Sequence, residues 1–277
     1  MEGRGSDTPH EVSTRLQRLT LPQFAPQNPP VIRLDQALVD RGLCDSRERA
    51  KRAIMAGQVR VNQQPARKPS DRVKSTDELV LTAGERFVSR GGFKLEHALK
   101  HFRLAIHGLT AIDLGASTGG FTDCLLQGGA QRVFAVDVGR GQLAWKLRQD
   151  ERVMVMDKTN ARMLTPSSFA PPFAPVDLIV ADCSFISLRK ILPPAIALLR
   201  SAGRIVALIK PQFEAGKAEA DKGAGVITDP AVHARVLTEL QTFVAGLIHV
   251  RWLEVTESPL LGPAGNKEFL VLLEKTG

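Results

Sequence analysis

A chain of 277 residues with a net charge of +8 and a pI near 9.7 is long enough for one well-buried core and a small second domain. Its three cysteines, Cys44, Cys124 and Cys183, are dispersed without C-x-x-C spacing, its six histidines show no metal-ligand spacing, and no apolar run approaches the roughly 18 residues of a membrane span. These features argue against a disulfide scaffold, a metal site and stable membrane insertion, and with no legible signal peptide they set the expectation of a reduced, cytoplasmic protein.

Residues 1–30 mix Arg, Gln, Thr and Pro without apolar periodicity and read as a flexible tail. From Ile32 the pattern R-L-D-Q-A-L-V-D-R-G-L predicts a short amphipathic helix closed by Gly42. Ser46 then caps a second helix, R-E-R-A-K-R-A-I-M-A-G, closed by Gly57. A strand over 58–62, a turn through 63–65 and a strand over 78–81 complete a module spanning 31–81. Between Val31 and Lys74 eleven Lys or Arg stand against five Asp or Glu, whereas residues 91–277 hold 21 against 18. Most of the cationic excess therefore sits in one small segment, as in a polyanion binder, although a merely solvated helix face would carry similar charges. Aromatics are sparse there, so phosphate and shape contacts are expected in preference to base stacking. The run from R-L-D-Q-A-L-V-D-R-G-L to V-R-V-N resembles the S4-type RNA-binding domain. That resemblance implies a small α+β fold and makes Arg33, Arg41, Arg47, Arg49, Lys51, Arg52 and Arg60 the candidate RNA contacts.

Residues 82–92, T-A-G-E-R-F-V-S-R-G-G, read as a linker with some order around Phe87. The second domain, 93–277, opens with a helix from Phe93 to about Phe102. Strands follow near 110–114, 132–138, 153–157, 177–182, 203–210, 249–257 and 268–274, with helices between most of them. The expected fold is a Rossmann-like α/β sheet of seven strands, the last two forming a hairpin-type return that places one antiparallel strand in it. Four successive strands end at Asp113, Asp137, Asp157 and Asp182 and a fifth on Lys210, lining one edge with charge. In a parallel α/β sheet that edge borders the ligand crevice.

The segment T-A-I-D-L-G-A-S-T-G-G-F turns from the first of these strands into a helix through Gly115, Ala116, Ser117, Thr118, Gly119, Gly120, Phe121 and Thr122. It is neither G-x-G-x-x-G nor a P-loop, and it lacks the lysine a phosphate cradle would use. The D-x-G-x-x-x-G-G form suits a zwitterionic cofactor without phosphate, S-adenosylmethionine. On that reading Asp113 and the loop backbone hold the amino acid end, Asp137 binds the ribose hydroxyls and Asp157 reaches the adenine amino group. Each aspartate alone is equally a helix cap or strand terminator; in ordered series that account weakens.

A methyl donor needs an acceptor. The fourth strand reads D-L-I-V-A-D-C-S-F and lacks the Asn/Asp-Pro-Pro-aromatic run expected for methylating an exocyclic amine. A hydroxyl acceptor instead needs its proton removed or its oxygen steered, for which Lys210 in V-A-L-I-K-P-Q-F-E is placed, with Lys94 in S-R-G-G-F-K-L as a second cation. If Lys94, Asp182, Lys210 and Glu268 converge, two carboxylates orient two ammonium groups around a ribose 2'-hydroxyl. The loop over 214–229 reads as a lid or RNA-contacting loop with Lys217 and Lys222, or as a plain connection.

The runs S-R-G-G-F-K-L, D-L-G-A-S-T-G-G-F-T-D-C-L-L, D-C-S-F-I-S-L, K-P-Q-F-E-A-G and G-P-A-G-N-K-E-F-L resemble the TlyA (hemolysin A) family of ribosomal RNA 2'-O-methyltransferases, from residue 31 to the end. The resemblance implies an FtsJ-type Lys-Asp-Lys-Glu tetrad at Lys94, Asp182, Lys210 and Glu268, and cytidine 2'-O-methylation of 16S or 23S rRNA, with ribosomal RNA or subunits as partners. Where the family carries a linker tryptophan, this chain has Phe87. Rival readings are cytosine C5-methylation with Cys183 as nucleophile, a membrane-active hemolysin, and a non-catalytic cofactor-sensing RNA-binding protein.

Overall fold

The computed structural model describes residues 30–82, 86–216, 219, 223 and 225–277; the tail apart from its last residue, and Lys217 and Lys222, lie outside the described residues. The chain divides into two compact units, 1–84 and 85–277.

The first unit begins with strand β1 (Val31–Arg33), so the amphipathic pattern starts its helix at Leu34, two residues later than expected. Helices α1 (Leu34–Asp40) and α2 (Arg47–Met55) follow, the latter capped by Ser46, whose Oγ accepts the Arg49 amide at 3.2 Å. Strand β2 (Val59–Val61) pairs with β3 (Gln64–Pro65) across Asn62 and Gln63, both at positive φ, the signature of a two-residue hairpin turn one residue earlier than predicted. The sheet order is β3-β2-β5, with β5 spanning Leu79–Leu81, while β4 (Arg72–Lys74) pairs with β1. Leu34, Ala37 and Leu38 of α1 meet Ala50, Ala53 and Ile54 of α2 over Val59 and Val73, the helical i, i+3, i+4 spacing giving each helix its buried stripe.

The second unit starts with residues 86–90 already packed against it, contrary to a linker running to 92. Phe87 is only 1% exposed, meets Phe93 edge-on at 5.0 Å and lies under the Arg86 guanidinium. Gly92 permits this, since a Cβ there would lie 2.2 Å from the Phe87 ring. Helix α3 (Gly91–His101) leads to β6 (Thr110–Leu114), then α4 (Gly120–Gln127), β7 (Arg132–Val136), α5 (Trp145–Arg148), β8 (Val153–Met156) and β9 (Val176–Ala181). Helix α6 (Leu192–Leu198), β10 (Leu199–Ile209), α7 (Pro211–Glu214), α8 (Pro230–Ala245), β11 (Val250–Glu257) and β12 (Phe269–Lys275) complete it.

All seven predicted strands form one sheet, ordered β11-β12-β10-β9-β6-β7-β8 and parallel from β10 to β8, with β12 antiparallel between β10 and β11. Strand β10 begins earlier than expected because Leu199 already pairs with Val176 ahead of an irregularity around Ala202. Buried runs such as Ile112–Leu114 in β6 and Leu178–Ala181 in β9 reflect cover on both faces of the sheet. The strand order reverses at β6, whose neighbours are β7 and β9, and this places a crevice above its carboxyl end.

Candidate active site

The crevice is built around a close approach of two strand ends. Gly115 follows β6 with φ of +83°, and a Cβ there would stand 2.8 Å from the carbonyl oxygen of Asp182, whose amide donates to Leu114 O at 3.0 Å. The loop continues through Ser117 (φ +50°) and Gly119 (φ +97°) into α4. A Cβ on Gly120 would meet Ser89 Oγ at 2.3 Å and the Gly92 amide nitrogen at 2.9 Å, so the S-R-G-G turn packs directly on the start of α4.

Of the tetrad, two ion pairs are assembled. Lys94, on α3, reaches Glu268 at 2.5 Å, and both side chains are almost wholly buried. Gly262 makes room for that carboxylate, since a Cβ would lie 2.5 Å from Glu268 Oε1. Lys210, just after β10, reaches Asp182 at 2.6 Å and donates to Ser184 Oγ at 2.9 Å. Lys94, Asp182 and Lys210 line one hollow together with Gly115–Thr118, Gly120, Phe121, Ser89–Gly91, Ser184, Leu260, Leu261 and Pro263. Glu268 stands behind Lys94 rather than on the wall.

A second hollow of about 450 Å³ shares Gly115, Ser117, Asp182 and Ser184 with the first and is lined by Asp137, Gln142, Thr159–Arg162 and Phe185, among others. Its size is that of a small-molecule site. Asp137 is oriented by the Ser117 amide at 2.8 Å and the Gly139 amide at 2.7 Å, which leaves lone pairs on both oxygens for a further donor. Asp113 lies under the loop with no exposed surface: Thr122 donates to its Oδ2 at 2.7 Å, while Oδ1 is buried without a partner. Burial, with Asp182 and Asp137 adding negative charge nearby, raises this carboxyl to about 7. Asp157 is placed differently from expectation. It accepts from Arg148 at 2.6 Å and from the Gly141 amide at 3.0 Å, its pKa is lowered by the Arg148 bond, and it is not among the residues lining either hollow.

Cys183 bears on the choice of chemistry. Its thiol donates to Leu114 O at 3.4 Å, and burial with adjacent carboxylates pushes it up to about 12. A thiol held protonated in this way is a poor nucleophile. Sequence reasoning missed Phe185. It is 91% exposed at the rim, adopts a left-handed φ of +62° and rests on Phe213 with ring centroids 5.2 Å apart. Gln142, Asn160 and Arg162, which line the second hollow, are likewise marked by no periodicity.

In the first unit, three of the seven candidate RNA contacts, Arg33, Arg41 and Arg47, are engaged in joining its elements, while the others make exposed local contacts or none. Arg33 and Arg47 both bind Asp35, which is fully buried and lowered to about 2, chiefly by the Arg33 bond. Arg41 donates to the carbonyls of Lys74, Ser75 and Asp77. Arg49 pairs with Asp45, Lys51 with Glu48, and Arg60 donates to Gln63 O. Arg52 has no side-chain partner among the described residues and shares a surface hollow with Arg49, Ala53, Ala56, Gln58, Leu81 and Thr82.

Among the described residues no His, Cys, Asp and Glu cluster could hold a metal ion, and no helix is long and apolar enough to cross a membrane. Residues 87–275 match the FtsJ-like methyltransferase family and residues 32–79 the S4 domain. The chain is 49% identical over 249 residues to "Putative rRNA methyltransferase YqxC" of Bacillus subtilis (strain 168), covering 88% of this chain and 86% of that protein. It is 47% identical over 245 residues to "16S/23S rRNA (cytidine-2'-O)-methyltransferase TlyA" of Mycobacterium tuberculosis (strain ATCC 25618 / H37Rv), covering 87% and 89%. A solved structure, "Putative hemolysin from Streptococcus thermophilus", aligns with a TM-score of 0.67 at 43% identity over 89% of each chain. With a methyltransferase sheet behind its paired lysines and an S4 domain ahead of it, the chain belongs to the FtsJ-like methyltransferases, in their TlyA family.

Proposed function

We propose that this protein transfers a methyl group from S-adenosylmethionine to a ribose 2'-oxygen of ribosomal RNA, with a cytidine of 16S or 23S rRNA as the target suggested by its named relative. The observation that carries this reading is the pairing of Lys210 with Asp182 and of Lys94 with Glu268 at one crevice beside the glycine loop.

The residues fit the cofactor. Gly115 keeps the loop clear where a side chain would strike Asp182, Asp113 holds a buried carboxylate oxygen without a partner, and Asp137 retains free lone pairs in the adjoining hollow. Residues 115–118 would hold the amino acid end and Asp137 the ribose; Gln142 and Asn160 replace Asp157 as the groups facing the base. When bound, S-adenosylmethionine supplies a sulfonium methyl group already activated toward an oxygen nucleophile.

The chain's task is positioning and proton handling. Lys210 uses one N–H on Asp182 and one on Ser184, which leaves a third to orient an acceptor hydroxyl oxygen. An ammonium is not a base, so proton removal by Lys210 requires its own proton to pass first to Asp182 or to water. Lys94, steadied by Glu268, faces the same hollow and adds a second positive charge where an alkoxide develops. At the rim Phe185 offers an exposed ring on which a nucleobase can stack. Arg49 and Arg52 of the first unit are the cations best placed for RNA phosphates. A ribosomal substrate places the work in the cytoplasm.

The test is transfer of tritiated methyl from S-adenosylmethionine to purified 30S and 50S subunits by wild type and Lys210→Ala, followed by alkaline hydrolysis. Label in alkali-resistant dinucleotides, lost in the variant, is the expected result. Label released only in mononucleotides, or none with either subunit, would overturn it.

A further inference from the structure

The run K-P-Q-F-E beyond β10 contributes Lys210 to the site, yet its last residue has a separate set of contacts. Glu214 closes α7 and is partly buried. Its Oε2 accepts from the Ser187 hydroxyl at 2.6 Å and its Oε1 from the Leu188 amide at 2.7 Å. Both partners belong to the loop over 183–188 that leaves β9, the loop that carries Ser184 and Phe185. Three rungs therefore join the two loops in order: Lys210 to Ser184, Phe213 to Phe185, and Glu214 to Ser187 and Leu188.

We propose that Glu214 is a positioning residue for RNA, fastening the 183–188 loop so that Phe185 is presented to the substrate beside Lys210. This rests on the reading of the crevice as an RNA methyl-transfer site. A phenylalanine that is 91% exposed in a left-handed backbone conformation is unfavourable on both counts, and such a conformation persists only where its surroundings over-determine it. Phe213 supports the ring from one side, but a tilted ring contact does not fix a backbone. Glu214 does hold the chain there, at the Ser187 hydroxyl and the Leu188 amide, two and three residues beyond the strained position. Among the described residues no cation forms a salt bridge with Glu214, though the Arg189 charge acts on it, and its two acceptor bonds occupy both carboxylate oxygens. The ion pair of Lys210 is to Asp182 at the end of β9, ahead of the loop that Glu214 fastens. Loss of Glu214 should thus weaken RNA binding more than the chemical step.

The test uses the full chain with Glu214→Ala and Glu214→Gln. An amide can still accept from Leu188 and donate to the Ser187 oxygen, so the Gln variant should behave as wild type. Release of the strained loop to its relaxed conformers predicts roughly a tenfold rise in KM for ribosomal subunits in the Ala variant, with kcat within about threefold and the Kd for S-adenosylmethionine unchanged. Hydrogen exchange at the Leu188 amide should quicken in Ala and not in Gln. Should Glu214→Ala fail to fold, Ser187→Ala, which removes one of the two bonds, takes its place with a smaller rise in KM expected. An unchanged KM in the folded variant, or equal losses of RNA and cofactor affinity, would overturn the proposal. If wild type methylates no RNA, the functional reading falls, and exchange at Leu188 alone then decides the anchoring: faster in Ala upholds it, unchanged rejects it.

Discussion

Replacing Asp113 by Asn tests the least ordinary electrostatic feature of the site. Burial raises this carboxyl from 3.8 to about 7, which corresponds to about 4 kcal/mol between its protonated and ionised states in the folded chain. A raised acid contributes stability that is complete below pH 3.8 and is lost as pH climbs through about 7, because over that interval the folded protein keeps a proton that the unfolded chain has released. In Asp113→Asn the amide oxygen still accepts from Thr122, and an N–H replaces the unpartnered Oδ1 at a cost of about 1–3 kcal/mol. The variant without cofactor should therefore equal or fall below wild type at pH 5 and exceed it at pH 8 by about 2 kcal/mol, or roughly 4–8 °C in Tm. The difference between their stability–pH curves reports Asp113 together with its coupling to the neighbouring Asp182 and Asp137. Parallel stability curves from pH 5 to 8 would show that the carboxyl is not held neutral and would refute the reasoning.

The Lys94–Glu268 pair is buried, so removing either partner alone should cost about 3–5 kcal/mol in urea unfolding, while Lys94→Ala combined with Glu268→Ala should cost well under the sum. Asp35, depressed to about 2 by Arg33 and Arg47, contributes stability that is present above pH 3.8 and lost as pH falls toward 2; Asp35→Asn should abolish that acid dependence in hydrogen exchange of residues 31–81. Cys183→Ala should retain most methyl transfer, since a thiol raised to about 12 takes no part as nucleophile; complete loss would restore base methylation as the chemistry. Phe185→Ala should raise KM for RNA by roughly 5- to 150-fold if one base stacks on the ring, with cofactor affinity unchanged in titration calorimetry.

What could be read from the sequence is whatever a strand or helix signals by itself. Apolar runs ending in Asp113, Asp137, Asp182 and Lys210 mark strand tips, and once the strands are parallel their tips share an edge, so the glycine loop, Asp182 and Lys210 could be set at one crevice from local pattern plus topology; Lys94 on α3 and Glu268 ahead of antiparallel β12 escape that rule, and the full tetrad rested on the family resemblance. Three-residue strands such as β1 and β4 are too short to show a period, and so the first helix was placed two residues early. The basic face of the first unit was incompletely legible for a different reason. Arg33, Arg41 and Arg47 look like a row of phosphate ligands until the fold brings Asp35 and three carbonyls against them, and a charge's partner is a tertiary fact. Asp157 has a partner of the same kind, since Arg148 nine residues earlier pairs with it.

The loops beyond β9 and β10 mark the limit of that reasoning. Ala207 pairs with Ala181 and Val206 with Val180, so β10 runs on only to Ile209 and the two chains leave the sheet nearly level. That register, a property of neither segment, sets Lys210 opposite Ser184 and carries α7 along the 183–188 loop until Glu214 meets Ser187 and Leu188. A slip of one residue would turn every side chain of β10 to the other face and separate all three rungs at once. Burial of both strand faces forbids the slip, so the packing of Val206, Leu208 and Ile209 in the core is what places a lysine, a phenylalanine and a glutamate at the rim of the crevice.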